Sequence, residues 1–316
     1  MTTTAALRAA IVGGGIMGRG IALALAAAGH EVSIVEADAA VAESIAGRLE
    51  ADARANAGMD EESRIAALAR VTLATDFDTA VASAALVIEA VPEQMDIKQP
   101  IWARLGQACS PTAVLATNTS ALDVDALASQ VARPERVLGT HWFNPAQVVP
   151  CVEVVRGAAT AQEVIDFVVG ILKRAGKVPV VVKNSPGFVA NRIQFALVRE
   201  ALLCLEEGLA SAEDIDSIVS SSFGIRLGVL GPLANADLGG LDTYRSILDF
   251  LSDRLGERFA VPAALDALVA SGRLGVKSGR GIREFDTTEA AQLMAYRDRT
   301  LRRVISAVNE ENGGGR

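Results

Sequence analysis

Two histidines occur in this chain, His30 and His141, and only His141 keeps chemical company. It stands in Thr140-His141-Trp142-Phe143-Asn144-Pro145, after Asn118-Thr119-Ser120 and before Glu153. Imidazole is the side chain that titrates near neutral pH without perturbation, so histidine-borne proton transfer falls to His141.

What the proton is coupled to is read near the N-terminus. The apolar run Ala9-Ala10-Ile11-Val12 meets Gly13-Gly14-Gly15-Ile16-Met17-Gly18, a GxGxxG directly after a strand-like segment. Residues 16–28 are rich in alanine and leucine, read as a helix, and stop at Gly29. Val32-Ser33-Ile34-Val35 then reads as a second strand ending in Glu36. Each glycine has its own reason: Gly13 makes a tight turn, Gly15 lets the backbone approach a pyrophosphate closely, and Gly18 packs helix against strand. The helix N-terminus faces the phosphates. Glu36, roughly 20 residues past the last glycine, can accept both hydroxyls of an adenosine ribose. No arginine or lysine lies between Glu36 and Arg48 to offset repulsion of a 2′-phosphate, which favours NAD over NADP. A bare GxGxxG is as often an ordinary glycine turn. Here strand, helix, second strand and terminal acid are all in register, which argues for a dinucleotide site.

Composition narrows the class further. At 316 residues the chain can hold two domains and a substantial core. Cys109, Cys151 and Cys204 are dispersed with no metal spacing, which fits a reducing, cytoplasmic setting and predicts neither disulfides nor a metal. No basic segment followed by a long apolar stretch opens the chain, and no uncharged apolar run reaches membrane-spanning length, so neither a secretory signal nor a membrane partner is expected. A net charge of −8 disfavours nucleic acid. An anionic substrate would need local basic residues.

The elements that must carry these residues fall in two parts. Short buried strands are expected at 71–73, 86–88, 114–116, 137–140, 152–155 and 178–182, separated by helical stretches, the pattern of an α/β doubly wound, mostly parallel sheet over residues 1–184. Residues 185–316 read as all-helical, opening with Ser185 as N-cap and Pro186 at the first helical position. Further helices are expected to start near Ser211, in a capping-box context, and near Asn235 and Thr288, and the glycine tail 313–316 is expected to fray. Phe188, Asn191, Phe195, Val198 and Leu202 share one helical stripe, which sets the Asn191 amide among apolar residues. A buried amide needs partners. The bland reading is a structural asparagine; the functional one is an amide facing a cleft.

Residues 13–18, Glu89-Ala90-Val91-Pro92-Glu93, Asn118-Thr119-Ser120, His141-Trp142-Phe143-Asn144-Pro145, Glu153 and Pro186-Gly187-Phe188-Val189-Ala190-Asn191-Arg192 together resemble the 3-hydroxyacyl-CoA dehydrogenase superfamily over nearly the whole chain. The resemblance implies a Rossmann domain, a helical second domain that makes a homodimer, and NAD-dependent oxidation of a hydroxyl β to a carbonyl. It implies His141 as general base and Glu153 as its partner, with Ser120 and Asn191 bonding the substrate oxygen. It also implies a cofactor held by Gly13, Gly15, Ile16, Met17, Gly18, Glu36, Ala90, Glu93, Lys98 and Asn118. The chemistry agrees, because taking hydride from a secondary alcohol requires taking its hydroxyl proton too.

Two departures bear on the substrate. Acyl-CoA members use a lysine and a serine on a helical insertion after the second strand, whereas residues 51–62 here are acidic with only Arg54 nearby, and no lysine precedes Lys98. Arg226, ahead of Gly231-Pro232-Leu233, could clamp a carboxylate bidentately, although it could equally be a surface or interface arginine. These features are similar to the branch containing lambda-crystallin (L-gulonate dehydrogenase), carnitine dehydrogenase and a vitamin B6-degrading dehydrogenase, so a free hydroxy acid or other small alcohol stands beside a 3-hydroxyacyl-CoA such as 3-hydroxybutyryl-CoA. Decarboxylating hydroxy-acid dehydrogenases share the glycine turn but use a lysine on the interdomain helix, where this chain has Asn191 and Arg192. A non-catalytic crystallin-like or NAD-sensing protein would not need Ser120, His141, Glu153 and Asn191 together.

Overall fold

The computed structural model describes residues 6–313 except 37 and 57. Residues 314–316, within the tail expected to fray, lie outside the described residues. The chain divides into two compact units, Met1–Val198 and Arg199–Arg316.

The first unit is built on a single sheet. Its elements run β1 (Arg8–Val12), α1 (Ile16–Ala27), β2 (Glu31–Val35), α2 (Ala39–Ala55), α3 (Glu61–Leu68), β3 (Val71–Ala74), α4 (Phe77–Ala82), β4 (Leu86–Glu89), α5 (Met95–Ala108), β5 (Val114–Thr117), α6 (Val124–Ala128), β6 (Val137–Trp142), β7 (Cys151–Arg156), α7 (Gln162–Arg174), β8 (Val178–Lys183) and the first part of α8 (Ala190–Glu206), whose remainder belongs to the second unit. The strand order is β3-β2-β1-β4-β5-β6-β7-β8. Neighbouring strands pair parallel except β6 and β7. This is the expected α/β doubly wound fold, with the strand order reversing between β1 and β4, where such sheets open a ligand crevice.

Helices cover both faces of a parallel sheet, so its central strands are apolar on both sides. β4 and β5 are buried at every position. Successive side chains of β1 alternate accordingly: Ile11 joins a core with Ile21, Leu23, Ile34 and Ile88, while Val12 joins one on the other face with Val35, Val87, Trp102 and Leu115. All six strands expected after Glu36 are present, but β3 and β8 are not buried. They close the two edges of the sheet, where one flank has no neighbour to cover it.

The start of the last helix of this unit also departs from expectation. Ser185-Pro186 opens a turn, and α8 begins only at Ala190. Gly187 and Phe188 both take positive φ, 71° and 51°, which no α-helix accommodates. Of the stripe expected to be buried, Phe188 is, whereas Phe195 and Leu202 are exposed.

The second unit, considered by itself, holds α9 (Ala212–Ser221), α10 (Phe223–Leu230), α11 (Pro232–Gly239), α12 (Leu241–Leu255), α13 (Ala263–Ala270) and α14 (Thr287–Gly313). Ser211 caps α9 as expected, its Oγ accepting the Asp214 N–H at 3.1 Å. α14 starts beside Thr288. Asn235 does not open a helix: α11 begins at Pro232, whose fixed φ suits a first helical position, and Asn235 sits one turn in with Nδ2 donating to the Gly231 carbonyl. Leu209, Ile218, Ile247, Phe250 and Tyr296 leave much of this unit's apolar surface exposed. No helix among the described residues is long and apolar enough to cross a membrane.

Candidate active site

The cofactor end of the site follows from backbone geometry. Gly13 has φ 108°, and a Cβ there would sit 2.8 Å from the Ala90 carbonyl oxygen. A Cβ at Gly18 would lie 1.9 Å from the Gly13 carbonyl oxygen, so α1 rests directly on the turn. At Gly15 a Cβ would meet nothing within 4 Å and would project into open space. Gly15 is the N-cap of α1 and provides no side-chain cap, and no acid occupies the first turn, so the N–H groups of that turn are left for an anion. Residues 13–17 line a cavity of about 830 Å³ together with Val35, Glu36, Arg48, Ala90, Val91 and Arg104. Glu36 follows β2 and accepts the Gly14 N–H at 3.2 Å. Gly turn, bare helix N-terminus and carboxylate fit a dinucleotide with an unphosphorylated ribose. Arg48 lies close enough in space to line the same cavity.

The pairing of His141 with Glu153 follows from strand register. β6 and β7 are antiparallel with His141 directly opposite Glu153. Nδ1 of His141 lies 2.8 Å from Oε2 of Glu153, and both side chains are buried. The other carboxylate oxygen, Oε1, accepts the backbone N–H groups of Val189 and Ala190, each at 3.0 Å. Glu153 therefore caps α8, a role expected of Ser185. Burial pushes the Glu153 carboxyl up, but the His141 hydrogen bond and the Ala190 and Val189 N–H groups outweigh it and hold the group below its ordinary range. An ionised Glu153 accepts Nδ1–H and leaves Nε2 as the basic nitrogen. The rings of Phe143 and Phe188 stand 4.5 and 5.7 Å from that of His141.

Ser120 and Asn191 meet beside this pair. Asn191 Nδ2 donates to the Ser120 carbonyl at 2.8 Å, and Asn191 directly follows one of the residues bound to Glu153. The Ser120 backbone N–H donates to Glu93 Oε1 at 2.7 Å, and Thr119 Oγ1 reaches the same oxygen at 2.5 Å. Asn118 Oδ1 accepts the Trp142 N–H at 3.1 Å, tying the end of β5 to the strand that carries His141. Burial raises the Glu93 carboxyl, but Thr119, Lys98 and the Ser120 and Ala121 N–H groups bring it below its usual range.

Lys98 is wholly buried, and its Nζ contacts Glu89 at 2.5 Å and Glu93 at 3.3 Å. Neither Lys98 nor Glu93 is among the residues that line the cavity at the glycine turn. Glu89 is also fully buried and receives Lys98, the Val91 N–H, Trp102 Nε1 and Thr117 Oγ1. This four-donor carboxylate anchors a chain running Glu89, Lys98, Glu93, Ser120, and sequence reasoning gave Glu89 no role. An acid closing the apolar run Leu86-Val87-Ile88 of a central strand was the available signal, because such a group must be paired. Arg19 was also missed. Buried in α1, it donates from Nη1 to the Gly14 carbonyl at 3.1 Å and from Nε to Asp52 of α2 at 2.8 Å.

Residues 8–185 match the NAD binding domain of 3-hydroxyacyl-CoA dehydrogenase, and residues 187–284 match the C-terminal domain of the same enzyme. The chain belongs to the 3-hydroxyacyl-CoA dehydrogenase family. It is therefore an NAD-dependent oxidoreductase. It is 36% identical over 283 residues to a probable 3-hydroxybutyryl-CoA dehydrogenase of Bacillus subtilis, covering 87% of this chain and 96% of that one. It is 35% identical over 294 residues to the 5-formyl-3-hydroxy-2-methylpyridine 4-carboxylate 5-dehydrogenase of Mesorhizobium japonicum, covering 92% and 95%. Among solved structures, a 3-hydroxyacyl-CoA dehydrogenase from Archaeoglobus fulgidus aligns with a TM-score of 0.79 at 31% identity over 94% of this chain and 99% of that one.

Arg226 lies in the second unit of this dehydrogenase, exposed on α10, in a small cleft with Asn235, Tyr244 and Arg297. Arg297 is paired with Asp298 at 2.8 Å, whereas Arg226 has no ion-pair partner among the described residues.

Proposed function

We propose that the chain oxidises a secondary hydroxyl β to a carbonyl, with His141 as general base, and that its substrate is a 3-hydroxyacyl thioester such as 3-hydroxybutyryl-CoA. The buried His141–Glu153 pair at 2.8 Å carries this reading. Bound NAD supplies the acceptor for the hydride. His141 Nε2 takes the hydroxyl proton, and Glu153, held ionised, receives Nδ1–H and stabilises the imidazolium. The Ser120 hydroxyl makes no hydrogen bond to a described residue and is available to the substrate oxygen, with the Asn191 amide beside it. Gly13, Gly15, Ile16, Met17 and Gly18 bind the pyrophosphate half of the cofactor, Glu36 the adenosine ribose, and Ala90, Glu93 and Asn118 the nicotinamide half. Lys98 contributes through Glu93.

Replacing His141 with Gln should leave NAD binding intact and lower turnover about 10²- to 10⁴-fold. NADH formation should be compared between (S)-3-hydroxybutyryl-CoA and free 3-hydroxybutyrate, L-gulonate and L-carnitine. Preference for a free acid would overturn the thioester assignment and make Arg226 the candidate carboxylate clamp. Wild-type protein that binds NAD but oxidises no alcohol would overturn the enzymatic reading.

The many large apolar side chains left exposed on the helical unit support a homodimer, since association would cover them. A monomeric mass at micromolar concentration would contradict it. Three unpaired cysteines fit residence in the cytoplasm.

A further inference from the structure

A buried ammonium with no carboxylate beside it is costly, because desolvation is not repaid by an opposite charge. Lys177 is such a group. It lies between α7 and β8, is 7% exposed, and pairs with no acid among the described residues. Burial pushes its pKa below the ordinary lysine range. Its Nζ instead donates to the carbonyls of Ala146 at 2.6 Å and Val149 at 2.9 Å, with the Trp142 ring 5.6 Å away.

Those carbonyls belong to the loop 143–150 that joins β6, which carries His141, to β7, which carries Glu153. Phe143, the first loop residue, is the ring 4.5 Å from His141. The far side of the loop rests on α1, where a Cβ at Gly20 would stand 2.8 Å from Gln147 Oε1 and 3.0 Å from the Ala146 Cβ. Within the loop the Val148 and Val149 N–H groups both turn to the Pro145 carbonyl, which leaves the Ala146 and Val149 carbonyls to Lys177. One loop thus touches the proton acceptor and the helix whose N-terminus faces the dinucleotide cavity.

We propose that Lys177 is a positioning residue whose ammonium clamps loop 143–150 against α1 and so fixes the distance between the His141 imidazole and the cofactor. This rests on His141 acting as the base. An ammonium suits this role because its donors reach two carbonyls at once, each in a charge-assisted bond. An aliphatic chain of the same length would leave both carbonyls unsatisfied.

The test compares wild type with Lys177→Met and Lys177→Gln in the full chain. It reads NAD affinity, steady-state kinetics with (S)-3-hydroxybutyryl-CoA, the isotope effect for substrate deuterated at the carbinol carbon, and hydrogen exchange of the 143–150 amides. Lys177→Met should bind NAD within about threefold of wild type and lose about 10- to 100-fold in kcat, the cost of a misplacement near 1 Å. Its isotope effect should rise, and the Val148 and Val149 amides should exchange faster while those of α1 do not. Lys177→Gln, uncharged but able to donate, should fall between, and it decides the matter if the methionine variant does not fold. Wild-type kcat and isotope effect in a folded variant would overturn the proposal, as would a loss of activity that tracks only the fraction unfolded. A wild type inactive on every β-hydroxy substrate would instead remove the functional reading beneath it, and loop exchange would still report on the clamp.

Discussion

The Glu153→Gln substitution isolates what the carboxylate does, because shape is kept and charge is lost. Oε1 faces two fixed backbone donors at 3.0 Å, and Oε2 faces His141 Nδ1 at 2.8 Å. The glutamine carbonyl must take the Oε1 position; the reverse rotamer points an NH2 group at two N–H groups and orphans donors at roughly 1–3 kcal/mol each. The amide NH2 then faces Nδ1, which becomes an acceptor, and the ring proton moves to Nε2. Nε2–H cannot receive the proton of an alcohol. The variant should therefore fold and bind NAD within about twofold of wild type while kcat/KM falls about 10³-fold, or roughly 4 kcal/mol of transition-state stabilisation. The assay is NADH formation across pH 6–9, with NAD binding followed separately by fluorescence. Turnover within about threefold of wild type, with an unchanged pH dependence, would refute both the tautomer argument and the role given to Glu153.

Glu36→Ser should weaken NAD binding about 10- to 100-fold through loss of charge-assisted bonds to the ribose. With Arg48 lining the same cavity it should improve NADP binding, and comparing the two dissociation constants checks the direction. Gly18→Ala places a methyl 1.9 Å from a backbone oxygen that cannot yield, so NAD binding should be lost along with about 1–3 kcal/mol of stability by urea titration. Stability should fall in two stages on acidification. His30 is held below its ordinary pKa by burial and then by Arg174, so its contribution is full at neutral pH and declines below about pH 6.5. Glu153 and Glu93 are held low in the folded state, so theirs persists to about pH 5 and is lost as pH drops through the carboxylate range. Urea midpoints from pH 8 to 3 should lose the first stage in His30→Gln and shrink the second in Glu153→Gln.

What could be read from the sequence was local or periodic. The glycine turn announces itself because Gly13 and Gly18 answer constraints within a few residues, and the central strands because parallel strands are apolar without interruption. The start of α8 was misread because its cap is a strand residue distant in sequence: Ser185-Pro186 is a sound local signal, overruled by Glu153 and by left-handed Gly187 and Phe188. The Asn191 amide was read as a misfit on a buried stripe, but Phe195, Val198 and Leu202 of that stripe are exposed, and the amide donates to the Ser120 carbonyl. Glu89, Arg19 and Lys177 escaped notice for one reason. Each is a buried charge whose partner comes from another element, and nothing in the local pattern marks such a partner.

The β6–β7 pair is the one antiparallel pairing in the sheet among the described strands. Residues directly opposite in such a pair hold their Cβ atoms about 5 Å apart, whatever packs around them. The dyad's separation is therefore inherited from peptide geometry, and repacking the core should drift it little. Slipping one strand by a single residue would send His141 and Glu153 to opposite faces of the sheet. The weak point of this machinery is a count of residues, so one insertion inside β6 or β7 should do more harm than several apolar exchanges beneath them.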